Sequence, residues 1–174
     1  MTITDDVLRT RFIIRDYLPS DAVATMGVFR RAVVVTASHD YDSQQIRAWA
    51  GHTGTQQQWN AKRLVAHTRV AQVAQDMTMG CDAENTGVCG FIDVDDTGYI
   101  DMLFVDPAYA RHGVATMLLA QVEQFAAARG IDQLTVHASI TARPFFTRHG
   151  FRTLETRYPI VDGIEFTNYA MAKP

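Results

Sequence analysis

Cysteine is scarce in this 174-residue chain: there are two, Cys81 and Cys89, with no CxxC pair and no metal-ligand spacing. A disulfide framework is therefore excluded, and free thiols in a reducing, cytoplasmic setting are expected. Cys89 lies in an apolar run and is expected to be buried, whereas Cys81 lies in a polar stretch and is expected to be exposed. An excess of one charge is also missing, with 16 Lys+Arg against 19 Asp+Glu and a formal net charge of −3. Such a balance provides no field to draw nucleic acid or an anionic membrane surface. No apolar run approaches the roughly 20 residues that span a bilayer. The opening MTITDDVLRT lacks a basic segment followed by an apolar one, so no secretory leader is expected. His52, His67, His112 and His149 lack zinc spacing, and no metal is expected. Neither GxxxxGK[ST] nor GxGxxG is present, which removes the common nucleotide-binding loops. No repeat, low-complexity tract or linker divides the chain, so residues 1–174 are read as one domain.

The remaining composition is that of a globular domain, 47% apolar and 20% charged. Arg11 to Asp16 reads as a first strand. Pro19-Ser20-Asp21 opens a helix that ends near Thr36 to Ser38. Ser43 is expected to cap a second helix, broken by Gly51 and Gly54, and residues 55 to 66 form a third. Arg69 to Gln75 and Gly87 to Val94 read as paired strands, with a polar loop between them. Thr97-Gly98 turns into a strand from Tyr99 to Val105. The clearest helix runs from Gly113 to Arg129, with Val114, Leu118, Val122 and Phe125 on its apolar face and Gly130 as its stop. A short strand over Leu134 to Ala138, a short helix over Thr141 to Arg148, and strands over Phe151 to Arg157 and Glu165 to Met171 complete the order. The pattern predicts an α/β (α+β) fold with a mixed sheet.

DPAYARHGVATMLL, residues 106–119, is the most informative stretch. A strand, a tight turn and a helix start follow in succession, with no acid in the first helical turn to satisfy its free N–H groups. Those groups and the helix dipole make an anion site. Gly113 lets a phosphate approach without a Cβ, and Arg111 adds a charge-assisted donor. On local sequence alone, Gly113 could equally do no more than relieve a tight junction.

The wider spacing favours the anion site. Val105-Asp106-Pro107-Ala108-Tyr109, then Ala110-Arg111-His112-Gly113-Val114-Ala115, then Ser139, Ala142, Phe145-Phe146 and Gly150-Phe151 resemble the acetyl-CoA-binding core of the GCN5-related N-acetyltransferases (GNAT). RAVVVTASHDYDSQQIRAWA (31–50), taken together with YIDMLFVDP, resembles a YafP-like branch of small bacterial members. The resemblance implies a twisted mixed sheet of about six to seven strands flanked by helices. Its central strands, Tyr99–Val105 and Leu134–His137, would run parallel and then splay. Acetyl-CoA would be the co-substrate. Its pyrophosphate would rest on the N–H groups of Arg111, His112, Gly113, Val114, Ala115 and Thr116, and its pantetheine would pair with main chain at Leu103, Phe104 and Val105. Ser139 and Phe146 fall at the family's Asn and Tyr positions near the cofactor. Phe146 has no proton to give a departing thiolate, and Ala110 replaces a Gln or Arg while keeping its N–H. Family members are often dimers, so the resemblance also allows a homodimer.

Amine acetylation requires a deprotonated nitrogen, and an alkylammonium has a pKa of about 10.4. Asp101, inside the apolar strand YIDMLFV, is the first candidate base. Alternation places it with Tyr99 and Leu103, opposite Ile100, Met102 and Phe104, and burial is expected to raise its pKa. The structural alternative is an acid paired with an arginine. His137 closes its strand beside the expected splay and is a candidate proton shuttle. Tyr169 and Tyr158 are candidate acids, and a backbone N–H near Phe104 or Val105 is the expected oxyanion donor. His39, Tyr41 and Trp49 are candidate acceptor contacts, although Tyr41 and Trp49 could instead staple two helices to the sheet. The leading expectation is an acetyl-CoA-dependent N-acetyltransferase acting on a small primary amine. The alternatives are a protein or peptide N-acetyltransferase, a non-catalytic acyl-CoA-binding module, and a plain α/β domain that binds another phosphate.

Overall fold

A computed structural model describes residues 11–74 and 87–174. The 76–87 loop, apart from Gly87, and the exposure of Cys81 lie outside the described residues. Among the described residues nine strands are present: β1 Phe12–Asp16, β2 Arg69–Val73, β3 Val88–Val94, β4 Tyr99–Val105, β5 Leu134–Ser139, β6 Arg152–Arg157, β7 Ile160–Val161, β8 Ile164–Glu165 and β9 Asn168–Lys173. Five α-helices join them: α1 Ala22–Arg31, α2 Ser43–Gly51, α3 Gln56–Val65, α4 Val114–Arg129 and α5 Arg143–Arg148.

Seven strands form one sheet in the order β1-β2-β3-β4-β5-β9-β6. Every neighbouring pair is antiparallel except β4 and β5. That parallel pair is held at only two positions, Tyr99↔Thr135 and Ile100↔Val136. Beyond Ile100, β4 has no strand on its β5 side, while β5 stays paired to β9 along its whole length. The expected splay is therefore present.

Each face of the sheet has its own core. Val114, Leu118, Leu119, Val122 and Ala126 of α4 pack with Cys89, Ile92, Ile100 and Val136. On the other face Met26, Val28 and Phe29 of α1 pack with Ile46, Trp59, Val70 and Phe91. Gly90 lets α4 approach: a Cβ there would lie 3.1 Å from Val114 and 3.0 Å from the Phe104 carbonyl. Cys89 is buried as expected, and burial pushes its thiol up to about 12, which leaves it unreactive.

Two local readings are corrected, and two more gain detail. Asp42, not Ser43, caps α2, and its carboxylate accepts from the N–H groups of Gln44 and Gln45. An acid one residue before the helix satisfies two orphan donors, which a serine inside the first turn does not. Residues Glu165 to Met171 are not one strand. Glu165 closes the β7–β8 hairpin, and β9 begins at Asn168. Residues Ala32–Thr36 form a π-helical turn after α1. Phe125 is only partly buried on α4, stacked against His67 and covered by Arg129.

Candidate active site

Two cavities, each of ≈ 410 Å³, meet at the splay. Trp49, Leu103, Phe104, Ser139 and Ala142 line both of them. One is a trough running from the free edge of β4 to the start of α4. The other is a pocket walled by α1, α2, β4, β5 and the β7–β8 hairpin.

The trough contains the turn and helix start that the sequence marked as a candidate anion site. Arg111 (φ 65) and Gly113 (φ 78) both take left-handed backbone conformations, and α4 begins directly after them. A Cβ at Gly113 would meet nothing within 4 Å, so the backbone turn, rather than crowding, calls for glycine. No side chain caps α4 and no acid lies in its first turn. The first helical bond runs from the Met117 N–H to the Gly113 carbonyl. The N–H groups of Val114, Ala115 and Thr116 therefore have no helical partner. Arg111, Gly113, Val114, Ala115 and Thr116 all line the trough, as do Leu103, Phe104 and Val105.

Two members of this loop behave differently from expectation. Ala110 spends its N–H on the Pro107 carbonyl at 3.2 Å, because residues 107–109 form a 3-10 turn, so it has no donor to offer. His112 does not line the trough; its Nδ1 folds back to 2.8 Å from the Ala110 carbonyl. Arg148 and His149 do line it, and Thr116 Oγ1 lies 3.2 Å from His149 Nε2. Both were missed in sequence. They follow the Phe145-Phe146 pair on α5, so their place in the motif was the available signal. Asp106 fixes the turn from below: it caps the Ala108 N–H and meets the Arg31 guanidinium at 2.6 Å.

The pocket has an apolar aromatic body, with Phe29, Tyr41, Trp49, Phe104 and Phe166, and a polar margin with Tyr99, Asp101, His137, Arg157 and Asn168. Tyr41 is held firmly. Its hydroxyl donates to the Thr167 carbonyl at 2.7 Å and accepts from the Ile140 N–H at 2.9 Å. Burial raises its pKa, so it stays a phenol. Tyr41 and Trp49 meet edge to face at 5.4 Å, so each lines the pocket and also staples helix to sheet. Ser139 lines both cavities while its Oγ accepts from the Ala142 N–H at 3.0 Å.

Asp101 is the main correction. Its side chain is 58% exposed at the pocket margin. The reason is a β-bulge. Asp93 pairs with Met102 and Val94 with Ile100, so Asp101 is an extra residue in β4. The bulge also breaks the expected alternation: Ile100 sits in the α4-side core with Leu103 and Val105, while Met102 and Phe104 face the α1-side core. The buried acid of this region is Asp93, 1% exposed, and burial raises it to about 6. Arg63 from α3 pairs with Asp93 at 2.9 Å and comes within 3.8 Å of Asp101.

His137 is exposed at the pocket margin, with Nδ1 3.2 Å from the Tyr99 hydroxyl. Its pKa is lowered, first by desolvation and then by Arg157, against the opposing pull of Asp101 and Glu155. A neutral imidazole is thus favoured near pH 7. Phe146 is 1% exposed and lines the pocket rather than the trough; Phe145 takes the trough wall.

Besides His112, three candidates fall outside both cavities. Tyr169 is turned away because alternation along β9 points Asn168 into the pocket and Tyr169 to the opposite face, beneath the Arg143 guanidinium at 4.1 Å. Tyr158 is exposed and lines neither cavity. His39 follows the π-helical turn and is exposed, with Nδ1 3.1 Å from the Thr36 carbonyl. Arg157 and Asn168 were missed in sequence, since only strand pairing brings them to the pocket. Among the described residues no group of three or more His, Cys, Asp or Glu could hold a metal. No helix among them is long and apolar enough to cross a membrane.

A splayed parallel pair beside an uncapped helix start is the arrangement of an acyl-CoA-dependent transferase. Residues 37–173 match the family model of the acetyltransferase (GNAT) domain, and the chain belongs to that family of acetyl-CoA-dependent acetyltransferases. It is 40% identical over 158 residues to the uncharacterized N-acetyltransferase YafP of Escherichia coli K12, covering 91% of this chain and 93% of that protein. Among solved structures it is similar to a GCN5-related N-acetyltransferase from Rhodopseudomonas palustris, with TM-score 0.81, 28% identity, and 92% and 94% of the two chains covered. It also shares its fold with the PaiA N-acetyltransferase of Thermoplasma acidophilum, solved in complex with coenzyme A, with TM-score 0.70, 16% identity, and 93% and 98% covered.

Proposed function

We propose that this chain transfers the acetyl group of acetyl-CoA directly to the nitrogen of a small primary amine. The observation that carries this reading is the junction of trough and pocket at Leu103, Phe104 and Ser139, beside the unpaired edge of β4. A pyrophosphate resting on the start of α4 would direct the pantetheine along that edge, with its thioester at the junction. The walled, aromatic-lined pocket favours a small acceptor over a protein surface.

In this mechanism Asp101 accepts a proton from the incoming ammonium through water. Its exposure at the pocket mouth lets water bridge the carboxylate to the incoming nitrogen. Neutral His137, hydrogen-bonded to Tyr99, serves as a second relay. The free nitrogen attacks the thioester carbonyl, and negative charge develops on its oxygen. Backbone N–H groups on the free edge of β4 near Phe104 and Val105 stabilise that charge. As the carbonyl re-forms, the C–S bond breaks, the sulfur leaves with the bonding pair as thiolate, and the second proton of the attacking nitrogen passes through water to neutral His137. Phe146 offers no proton there, and a thiol is acidic enough to leave without one.

Thiol release from acetyl-CoA over a panel of amines tests the reading, with Asp101→Asn alongside. Turnover in the wild type and a loss of about 100-fold or more in the variant, with acetyl-CoA affinity kept, are expected. Acetyl-CoA binding without turnover of any amine would instead support the non-catalytic module.

A further inference from the structure

The pocket holds two full charges that do not neutralise each other. Asp101 and Arg157 both line it, and they form no ion pair together. Among the described residues Arg157 makes no ion pair or side-chain hydrogen bond at all, although it stands in the wall of a largely apolar pocket. Opposite it on β9 is Asn168, its direct cross-strand partner. Directly paired residues project to the same face with Cβ atoms about 5 Å apart. Both side chains line the pocket. The Asn168 amide is also unengaged, and its Oδ1 is buried without a partner. The buried, unsatisfied Asn168 oxygen beside a guanidinium with no protein partner marks this wall as a place for a polar ligand group.

Arg157 acts electrostatically on Tyr99 and His137, the same two groups that Asp101 acts on. The cation and the carboxylate therefore face one short stretch of the pocket. A ligand meeting both at once must carry an anion and a cation close together. The remaining wall is Phe29, Tyr41, Trp49, Phe104 and Phe166, which suits an apolar or aromatic group.

We infer that the acceptor is a free α-amino acid with an apolar or aromatic side chain. Arg157 and Asn168 hold its carboxylate, and its amino group turns toward Asp101 and the thioester. The guanidinium fork matches a carboxylate with two parallel bonds, and the Asn168 carboxamide, turned about its last torsion, adds a third donor. This assignment rests on the proposed acetyl transfer.

Matched acceptors test it. Thiol release from acetyl-CoA is measured for phenylalanine against 2-phenylethylamine and for leucine against 3-methylbutylamine, with phenylalanine amide as an uncharged variant. The carboxylate-bearing member of each pair is expected to have a kcat/KM higher by about 10- to 100-fold, the range for a charge-assisted contact. Phenylalanine amide should follow the simple amines. In Arg157→Gln the ratio within each pair should collapse toward unity, and Arg157→Lys should restore part of it. The wild-type ratio needs no folded variant, and the unfolding midpoint of each variant is checked by circular dichroism. Equal or better use of the decarboxylated amines by the wild type overturns the amino-acid assignment and leaves acetyl transfer standing. A ratio unchanged in Arg157→Gln overturns the assigned role of Arg157. Absence of turnover with every amine, while acetyl-CoA still stabilises the chain, overturns the transferase reading and the assignment together.

Discussion

The Arg63 guanidinium and the Asp93 carboxylate meet at 2.9 Å with both side chains almost fully buried, at 2% and 1% exposure. The pair ties α3 to β3 beneath the bulge that lifts Asp101 into the pocket margin. Trp59 lies under the same guanidinium, 4.7 Å from its ring centre. One strand acid is thus buried in an ion pair, and the other is exposed at the pocket margin.

Breaking that pair from one side should be severe. Arg63→Ala leaves Asp93 buried without its cation, a loss of about 3–5 kcal/mol in urea unfolding. The double replacement Arg63→Met with Asp93→Leu removes both charges and should recover most of it. Equal losses in the single and double variants would show that the pair contributes packing rather than electrostatics.

Asp93 also sets a pH dependence. Burial raises its folded pKa from 3.8 to about 6, so the folded chain binds the proton more tightly than the unfolded one. Stability from this group is therefore greatest at low pH and declines as pH rises from 3.8 through about 6. Unfolding free energy measured between those limits should show this slope, superimposed on the other carboxylates. The wild type minus Asp93→Asn difference isolates it, and a flat difference would refute it.

Ala115 lies in the uncapped first turn of α4. Placing a carboxylate there in Ala115→Glu should satisfy the helix dipole and leave stability unchanged or raised by about 0.3–1 kcal/mol. The same carboxylate would compete with the pyrophosphate, and acetyl-CoA affinity should fall by about tenfold or more. Calorimetric titration reads the affinity and a thermal melt reads the stability. Opposite signs for the two are the expected signature.

His137 should shape the acid limb of activity. Its lowered pKa keeps the imidazole neutral to pH values below its ordinary 6.5, so kcat/KM should hold through neutrality and fall only on further acidification. Arg157 contributes to that lowering, so Arg157→Gln should move the limb to higher pH. His137→Gln should remove the limb's dependence on this group. A limb unmoved in both variants would take His137 out of the proton path.

Much of this architecture is readable in one dimension because its determinants are local. The left-handed Gly113, the uncapped start of α4, its apolar face and its Gly130 stop all arise from neighbours in sequence. The parallel β4–β5 pair was implied by the family resemblance, and the strand–helix–strand order agrees with it. The same reasoning failed at Asp101 because a bulge changes two-residue alternation without any residue type that announces it. It failed at Tyr169 because the register of β9, set by pairing with β5 and β6, decides which of two adjacent polar side chains enters the pocket.

The sequence by itself determined the left-handed turn at Gly113, the helix behind it and the family, since each depends on spacings of a few residues that fix backbone conformation. Tertiary structure alone decided which acid is buried, that Arg63 stands between Asp93 and Asp101, and that Arg157 and Asn168 face the pocket together. Those relations join residues far apart in the chain, and strand register and burial, which no short window contains, bring them into contact.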